Sequence, residues 1–348
     1  MTRRVAMPDR IPGAFSVGTR TEREIDRPVD MCLANGRLNP DAVGWSRTPL
    51  HRANLKGWGR NKRFEWWGIM TEDFVVTANI SHHDYRANIA STFVDLKTRQ
   101  TCGARENRWL PPVGGLSHMD GTAPLSAAGR TIEVRMTPNA MGTALYAKSA
   151  RVLLEAQVFE EPGRESMGVL VPWSDRLFQY TRKNNCLLVE GRVVVDGIER
   201  AITRGDAYAI HDHGRGRWPY DTLWNWAAAS GDTDGHQIGL QFGAKWTAGT
   251  PSTENVLRID GRLHKISDEL DWTYDTADWM KPWTIKGDRV DLTFTPVIHH
   301  HHLFDRVVIS ARLDQCFGHF DGTIVADDGQ PFHVARVLGL AEEVRRKW

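Results

Sequence analysis

The densest group of residues that could perform acid–base chemistry lies between residues 209 and 230. A carboxylate held beside aromatic rings in a dry pocket retains its proton more readily, which suits a general acid. A neighbouring imidazole can transfer protons near neutral pH. The segment supplies all of these groups, in the order His211, Asp212, His213, Tyr220, Asp221, Trp224, Asn225 and Trp226. We predict that His211, Asp212, His213 and Asp221 are catalytic, with Asp212 as the proton donor.

Side-chain alternation along a β-strand decides which of these groups can meet. On an extended strand, His211 and His213 point to one face and Asp212 to the other. Further along, Trp224 and Trp226 share a face, with Asn225 opposite. A purely structural interpretation also stays open, in which Asp212 pairs with Arg215 or caps the turn and the tryptophans are ordinary core.

Two other segments contain related groups. Glu65, Trp66 and Trp67 place an acid beside indoles, and His82 follows an apolar strand that begins at Phe74. A buried glutamate could be a catalytic acid, whereas an edge glutamate would pair with a nearby arginine. We predict a substrate-binding set that combines these residues with those of the first segment: Glu65, Trp66, Trp67, His82, Tyr220, Trp224, Asn225 and Trp226.

Residues 299–302 are four consecutive histidines. The apolar alternation before them places His300 and His302 on the inward face of the strand, and we add both to the substrate-binding set. Two inward histidines could instead ligate a metal ion. Because no third ligand is identifiable by spacing, we predict no metal site.

Composition narrows the classes of function. Lys plus Arg number 44 and Asp plus Glu 43, a formal net charge of +1. Nucleic-acid binding requires a concentrated basic surface, so no nucleic-acid partner is expected. The sequence contains no phosphate-binding loop, dinucleotide fingerprint or nucleophile elbow, and we predict no cofactor. The 14 tryptophans favour a cavity for a largely apolar small molecule.

The location follows from the absence of apolar segments. No run of about 18 apolar residues occurs, so no membrane span is predicted. The first 13 residues are charged and contain two prolines, unlike a signal peptide. Four cysteines lie far apart, which is typical of reduced thiols. We expect a cytoplasmic protein; its oligomeric state is unknown from the sequence.

Turn signals recur between runs of β-forming residues. Asp-Gly pairs begin at Asp196, Asp234, Asp260, Asp321 and Asp328. Asp-Gly supplies the positive φ angles of tight hairpins, so the pairs predict an all-β fold of antiparallel meanders, as a sandwich or barrel. Residues 340–347 favour a short C-terminal helix. We predict an extended lead-in over 1–45, one β domain over 46–165 and a second over 166–348.

The order of several segments resembles the uncharacterised family known as domain of unknown function 2804. The resemblance rests on residues 44–47, 63–68, 183–197, 211–231 and 318–348, and is most specific over 212–227. That family is similar to the carotenoid hydratase and double-lipocalin group. The resemblance implies two lipocalin-like antiparallel β-barrel or sandwich domains packed together, with a ligand cavity near their contact. It also implies that Asp212, His213, Trp224 and Trp226 line that cavity, although residues 214–216 depart from the wider group.

Our leading hypothesis is therefore an enzyme that uses acid–base chemistry on a largely apolar small molecule, as a hydratase, dehydratase, isomerase or cyclase. Two alternatives remain. A non-catalytic carrier of a lipid or pigment needs the same cavity without a tuned acid. A glycan-active enzyme would need two carboxylates flanking one bond, with Asp212, Asp221 and Glu65 as possible partners.

Overall fold

The computed structural model describes residues 22–109, 123–306 and 309–347. Within these ranges the chain forms β-strands and one 3₁₀ turn, Pro40–Ala42, and contains no α-helix. The all-β prediction is confirmed. No helix in the described ranges is long and apolar enough to cross a membrane. The first 21 residues of the predicted lead-in lie outside the described residues.

Three short strands precede β4, and the last of them lies beyond the predicted lead-in. They are β1 (Val29–Asp30), β2 (Gly44–Ser46) and β3 (His51–Arg52). Strands β1 and β3 pair in parallel, while β2 adds to the first large sheet by pairing with β12.

Counting only described residues, the first large sheet has 13 strands, and its pairings are antiparallel. Its strands beyond β2 are β4 (Asn61–Thr71), β5 (Phe74–His82), β6 (Arg86–Asp95), β7 (Thr101–Trp109), β8 (Leu125–Ala128), β9 (Ile132–Asn139), β10 (Gly142–Ser149), β11 (Val152–Phe159), β12 (Met167–Pro172), β13 (Phe178–Val195), β14 (Ile198–Ile202) and β15 (Ala207–Arg217). The long strand β13 joins the two halves of the sheet, because it pairs with β11 through one part and with β15 through the other.

The second sheet has nine antiparallel strands in the described part of the chain. They are β16 (Asp221–Thr233), β17 (His236–Ala244), β18 (Asn255–Ile259), β19 (Arg262–Ile266), β20 (Asp271–Thr273), β21 (Trp283–Gly287), β22 (Val290–Arg306), β23 (Ile309–Val325) and β24 (Pro331–Lys347). The predicted domain boundary at residue 165 falls inside the first sheet, which continues to Arg217.

The predicted C-terminal helix is wrong, because residues 340–347 form the end of β24. This strand pairs with β16 on one side and β23 on the other, so ladder hydrogen bonds on both edges override helix propensity. Its even-numbered side chains from Leu338 to Val344 point toward the first sheet and the cavity, a period of two rather than of a helix.

Three of the five Asp-Gly pairs form the predicted two-residue hairpins. The aspartates Asp196, Asp234 and Asp260 have φ angles of about +50°, each followed by a glycine with positive φ. The pair at Asp321 lies instead within β23, where the register with β24 shifts at a bulge.

Each sheet curls around its own apolar core, and a third apolar cluster joins them. The inner cores collect residues such as Val76 and Leu154 in the first sheet and Leu240 and Phe294 in the second. The joining cluster takes Met70, Val75, Val94, Leu96 and Ile210 from the first sheet and Trp226, Ala228, Ile298, Phe317, Leu338 and Leu340 from the second. Beside this cluster the two sheets separate enough to leave a cavity.

Candidate active site

A cavity of about 160 Å³ lies between the outer faces of the two sheets. Strands β4, β5, β6, β13 and β15 form one wall, and β16, β22, β23 and β24 form much of the other. The site therefore depends on the packing of both sheets. Its lining combines indoles with buried charged groups, which is the composition expected of a small-molecule site.

Five of the sequence-predicted residues line this cavity. They are Asp212, Trp66, Trp224, Trp226 and His300. The Trp66 and Trp226 rings come from opposite sheets and meet edge to face, with centroids 5.3 Å apart. This contact closes one side of the space and connects it with the apolar cluster that joins the sheets.

The expectation that the imidazoles of His211 and His213 share this cavity with Asp212 is wrong. Strand alternation turns both rings to the inner face of the first sheet, where they meet Glu65. His211 Nε2 lies 2.6 Å from one carboxylate oxygen and His213 Nδ1 lies 2.7 Å from the other. Trp67 stacks on His211 on that same face, with ring centroids 4.1 Å apart.

The charged and polar groups of this inner cluster pair with one another. Arg215 donates a hydrogen bond of 2.7 Å to Glu65. Burial would raise the pKa of Glu65, but His213 and Arg215 outweigh it and hold that pKa well below its usual range. Burial, followed by Arg215, lowers the pKa of His213 to about 4. Glu65 is thus fixed by two imidazoles and a guanidinium on the face away from the cavity, and not by Arg63.

The remaining predicted residues lie elsewhere. Asp221 is half-exposed at the start of β16 and pairs with Arg345 at 2.7 Å, and Tyr220 is exposed beside it. His82 lies across from Arg63 in the β4–β5 ladder. Asn225 is buried on the face opposite Trp224 and Trp226, and its side chain donates a hydrogen bond to the carbonyl oxygen of Glu342. His302 is half-buried and lies outside the cavity lining. None of these five side chains lines the cavity.

Asp212 belongs to a buried ion-pair network that the sequence did not predict. Its carboxylate lies 2.8 Å from Lys183 Nζ, which also lies 3.0 Å from Glu254. Burial acts to lower the pKa of Lys183, but the two carboxylates outweigh it and raise that pKa. Burial raises the pKa of Glu254. All three side chains line the cavity, so they form a charged wall with fixed geometry.

Glu342 is the cavity carboxyl best suited to donate a proton. Burial raises its pKa to about 7. Trp224 Nε1 donates to one oxygen at 3.1 Å and Gln315 Nε2 to the other at 2.7 Å. Each carboxyl oxygen has two acceptor positions, so a proton can still occupy the position that faces the cavity.

Cationic side chains line another part of the same cavity. Lys62 Nζ lies 3.5 Å from the centroid of the Trp218 ring, and burial together with Arg346 lowers the Lys62 pKa well below its usual range. Burial also lowers the pKa of Arg346, to about 10. Burial thus favours the neutral form of both Lys62 and Glu342, and pKa shifts of this kind are typical of functional sites.

The sequence pattern indicated that Glu342 is a buried acid, but the predicted C-terminal helix led us to overlook it. Leu338, Leu340, Glu342 and Val344 alternate with other residues at period two, which marks Glu342 as an acid on the apolar face of a strand. Lys62, Lys183 and Glu254 carried no comparable signal, because their burial depends on the packing of one sheet against the other.

The comparisons with known proteins agree with this architecture. The family model described as Domain of unknown function (DUF2804) matches residues 22–348. The chain belongs to this family. Among curated proteins, none matches this chain in sequence.

Two solved structures are similar to this chain at low sequence identity. Kievitone hydratase from Nectria haematococca superposes with a TM-score of 0.51 and 11% identity, over 82% of this chain and 88% of that chain. CghA superposes with a TM-score of 0.47 and 11% identity, over 83% of this chain and 89% of that chain. The first of these shows that this chain has the fold of a hydratase structure, as the resemblance implied.

Proposed function

We propose that this protein is an enzyme that uses acid–base catalysis on a largely apolar small molecule, as a hydratase, dehydratase, isomerase or cyclase. The observation that carries the proposal is Glu342, a buried carboxyl in an indole-lined cavity with a pKa of about 7. A general acid works best when its pKa lies near the working pH. A non-catalytic carrier does not require a carboxyl whose pKa is raised to this value.

In the proposed reaction, neutral Glu342 transfers its proton to an alkene carbon or to a leaving hydroxyl of the bound molecule. The carboxylate that remains is stabilised by the hydrogen bonds from Trp224 and Gln315. The faces of the neighbouring indoles can stabilise positive charge that develops on the substrate. Loss of a proton from an adjacent carbon or from an added water returns the proton to Glu342 and completes the cycle.

Asp212 takes a different role from the one expected from sequence. Because Lys183 and Thr181 occupy its two carboxylate oxygens, at 2.8 Å and 3.3 Å, we place it in a positioning network. This network can orient a polar group of the substrate against the apolar part of the cavity. The hydratase name of one structure with this fold is consistent with such chemistry.

The carboxylate pair that the sequence suggested for a glycan-active enzyme does not form. Glu65 faces the inner side of the first sheet, Asp221 lies at the surface, and only Asp212 of the three lines the cavity. Two catalytic carboxylates must flank one glycosidic bond, within about 10 Å of each other across the substrate.

The proposal is tested by extracting the ligand that copurifies with the full chain, identifying it by mass spectrometry, and assaying its conversion. We expect Glu342→Gln to lower kcat by about 10²–10⁴-fold, because positioned proton transfer contributes an effect of this size. The control is Glu343→Gln, since Glu343 points to the opposite face and pairs with Lys245 and Arg312. Folding of both variants is checked by circular dichroism.

The pH profile gives a second measurement on the same substrate. A general acid must be protonated, so kcat should be highest below about pH 7 and fall as the pH rises through the pKa of Glu342. The charged groups that face this carboxyl are Arg346, Lys183 and Lys62. Full activity of Glu342→Gln would contradict the role of Glu342 as the proton donor. A ligand recovered unchanged after long incubation would favour the carrier and contradict the proposal as a whole.

A further inference from the structure

The four-histidine run has a second face that the cavity does not use. Strand alternation sends His300 into the cavity wall, while His299 and His301 point to the opposite face of β22. On the neighbouring strand β23, Asp314 is the direct partner of His301 in the ladder, and His299 lies two residues along β22, opposite Cys316. The three side chains thus share one face of an antiparallel pair, where opposed residues are close enough to interact.

The donor atoms of these three side chains converge. His299 Nε2 lies 3.1 Å and His301 Nδ1 lies 2.8 Å from the same oxygen of Asp314, and all three ligand atoms lie within 4.8 Å of one another. Zinc–nitrogen bonds of about 2.0–2.1 Å place neighbouring ligand atoms of a tetrahedral site about 3.3 Å apart. Small side-chain adjustments would therefore bring all three atoms to bonding distance of one ion.

The surrounding residues hold the ligands in orientation and leave a route for an ion. Arg312 donates to the second oxygen of Asp314 at 2.8 Å and also pairs with Glu343, which keeps the first oxygen turned toward the imidazoles. Trp279 packs on His299, with ring centroids 5.9 Å apart. Asp314 is 3% exposed but His301 is 49% exposed, so the site opens to solvent on one side.

We propose that His299, His301 and Asp314 bind one divalent transition-metal ion of the zinc class, with a coordination position left to water or an external ligand. The two imidazole donors favour zinc, cobalt or iron(II) over calcium or magnesium, and a carboxylate is a common third ligand of such ions. Outer hydrogen bonds such as the one from Arg312 typically orient metal ligands. The site faces away from the cavity, so it is independent of the acid–base proposal.

The test uses the full chain without a purification tag, freed of metal by a chelator and titrated with Zn²⁺ in a calorimeter. We expect one equivalent to bind saturably, and Co²⁺ to give the visible absorption of a nitrogen–oxygen site. Asp314→Asn and His301→Ala should each weaken binding by at least about tenfold, as losses in metal coordination shells do. Thermal melting of each variant with and without Zn²⁺ checks that it folds and whether the ion stabilises it.

The four-histidine run also contains the residue for a matched control. His302 is adjacent to His301 but points to the other face, so His302→Ala should leave Zn²⁺ affinity unchanged within about twofold. Absence of saturable binding to the unaltered chain would overturn the proposal. Equal weakening by His302→Ala and His301→Ala would overturn it too, because it would show non-specific binding to a histidine-rich strand. If Asp314→Asn fails to fold, His299→Ala and His301→Ala against His302→Ala decide the matter.

Discussion

At the scale of single residues, the raised pKa of Glu342 has a cost in stability. A carboxyl whose folded pKa lies above its unfolded value stabilises the fold only while it is protonated, so stability is lost as the pH rises from about 4.5 through about 7. The shift corresponds to an effect on the order of 3 kcal/mol above pH 7.

We therefore predict that Glu342→Gln increases the free energy of unfolding at pH 8 and changes it little at pH 4. The neutral amide keeps the size of the side chain and removes the charge that burial disfavours. Urea unfolding at the two pH values measures the difference. A variant that is less stable than the unaltered protein at pH 8 would show that the carboxylate is well accommodated in the cavity.

Replacement of Lys183, in contrast to replacement of Glu342, is predicted to lower the free energy of unfolding. Lys183→Met leaves the buried carboxylates of Asp212 and Glu254 without their ammonium partner. Removing one member of a buried ion pair costs about 3–5 kcal/mol, because the remaining charge is uncompensated. The control is Lys97→Met, which breaks an exposed pair with Asp73 and should cost about 0–1 kcal/mol. Equal losses in the two variants, measured by urea unfolding, would contradict the buried network.

Residue patterns predicted the orientation of several side chains but not their neighbours. Alternation correctly separated Asp212 from His211 and His213, and correctly set Asn225 opposite Trp224 and Trp226. The hypothesis nevertheless placed the two histidines beside Asp212, which their own alternation excluded. The partners Glu65 and Lys183 are far away in sequence, so only the strand order of the sheet shows which groups meet.

At the scale of secondary structure, β24 shows how propensity misled the prediction. Residues 340–347 are good helix formers, yet the strand is hydrogen-bonded on both edges, and tertiary pairing decides its conformation. The Asp-Gly pairs were more informative, because positive φ is a local requirement that the sequence itself satisfies. Local signals thus predicted turns and fold class, whereas the candidate acid depended on non-local pairing.

The close packing of β24 against β16 gives a prediction for Gly339. A methyl group there would lie 2.4 Å from the carbonyl oxygen of Ala228 and 2.5 Å from Ala229 Cβ. Overpacking of this kind typically costs about 1–3 kcal/mol, so Gly339→Ala should lower the free energy of unfolding by such an amount. The control is Gly231→Ala, whose new methyl would have a side-chain atom of Val337 as its nearest neighbour, at 3.2 Å. A Gly339→Ala variant as stable as Gly231→Ala would contradict the pairing of β24.

At the scale of the whole molecule, the cavity lies where two curled sheets pack against each other through shared apolar clusters. Strands β13 and β15 complete the first sheet after residue 165, the predicted boundary. The resemblance to a double-lipocalin group gave the correct class of architecture. The composition of the cavity wall followed only from the contact between the sheets.

Leu340 is a fully buried member of that joining cluster, which also contains Met70 and Val75 of the first sheet. We predict that the protein unfolds in one cooperative transition and that Leu340→Ala lowers stability by about 2–5 kcal/mol, the usual effect of such a cavity. Hydrogen exchange should show strands of both sheets losing protection together. The control is Ile198→Ala at an exposed position. Loss of protection confined to the second sheet would contradict the shared cluster.

The most direct test of the proposed acid is a carboxyl-carbon NMR titration of the full chain, with Glu342→Gln used to assign the Glu342 signal. Burial in the cavity predicts that this carboxyl titrates near pH 7, well above an ordinary glutamate. A midpoint near 4.5, in a folded protein, would show that Glu342 is ionised at neutral pH and cannot be the proton donor.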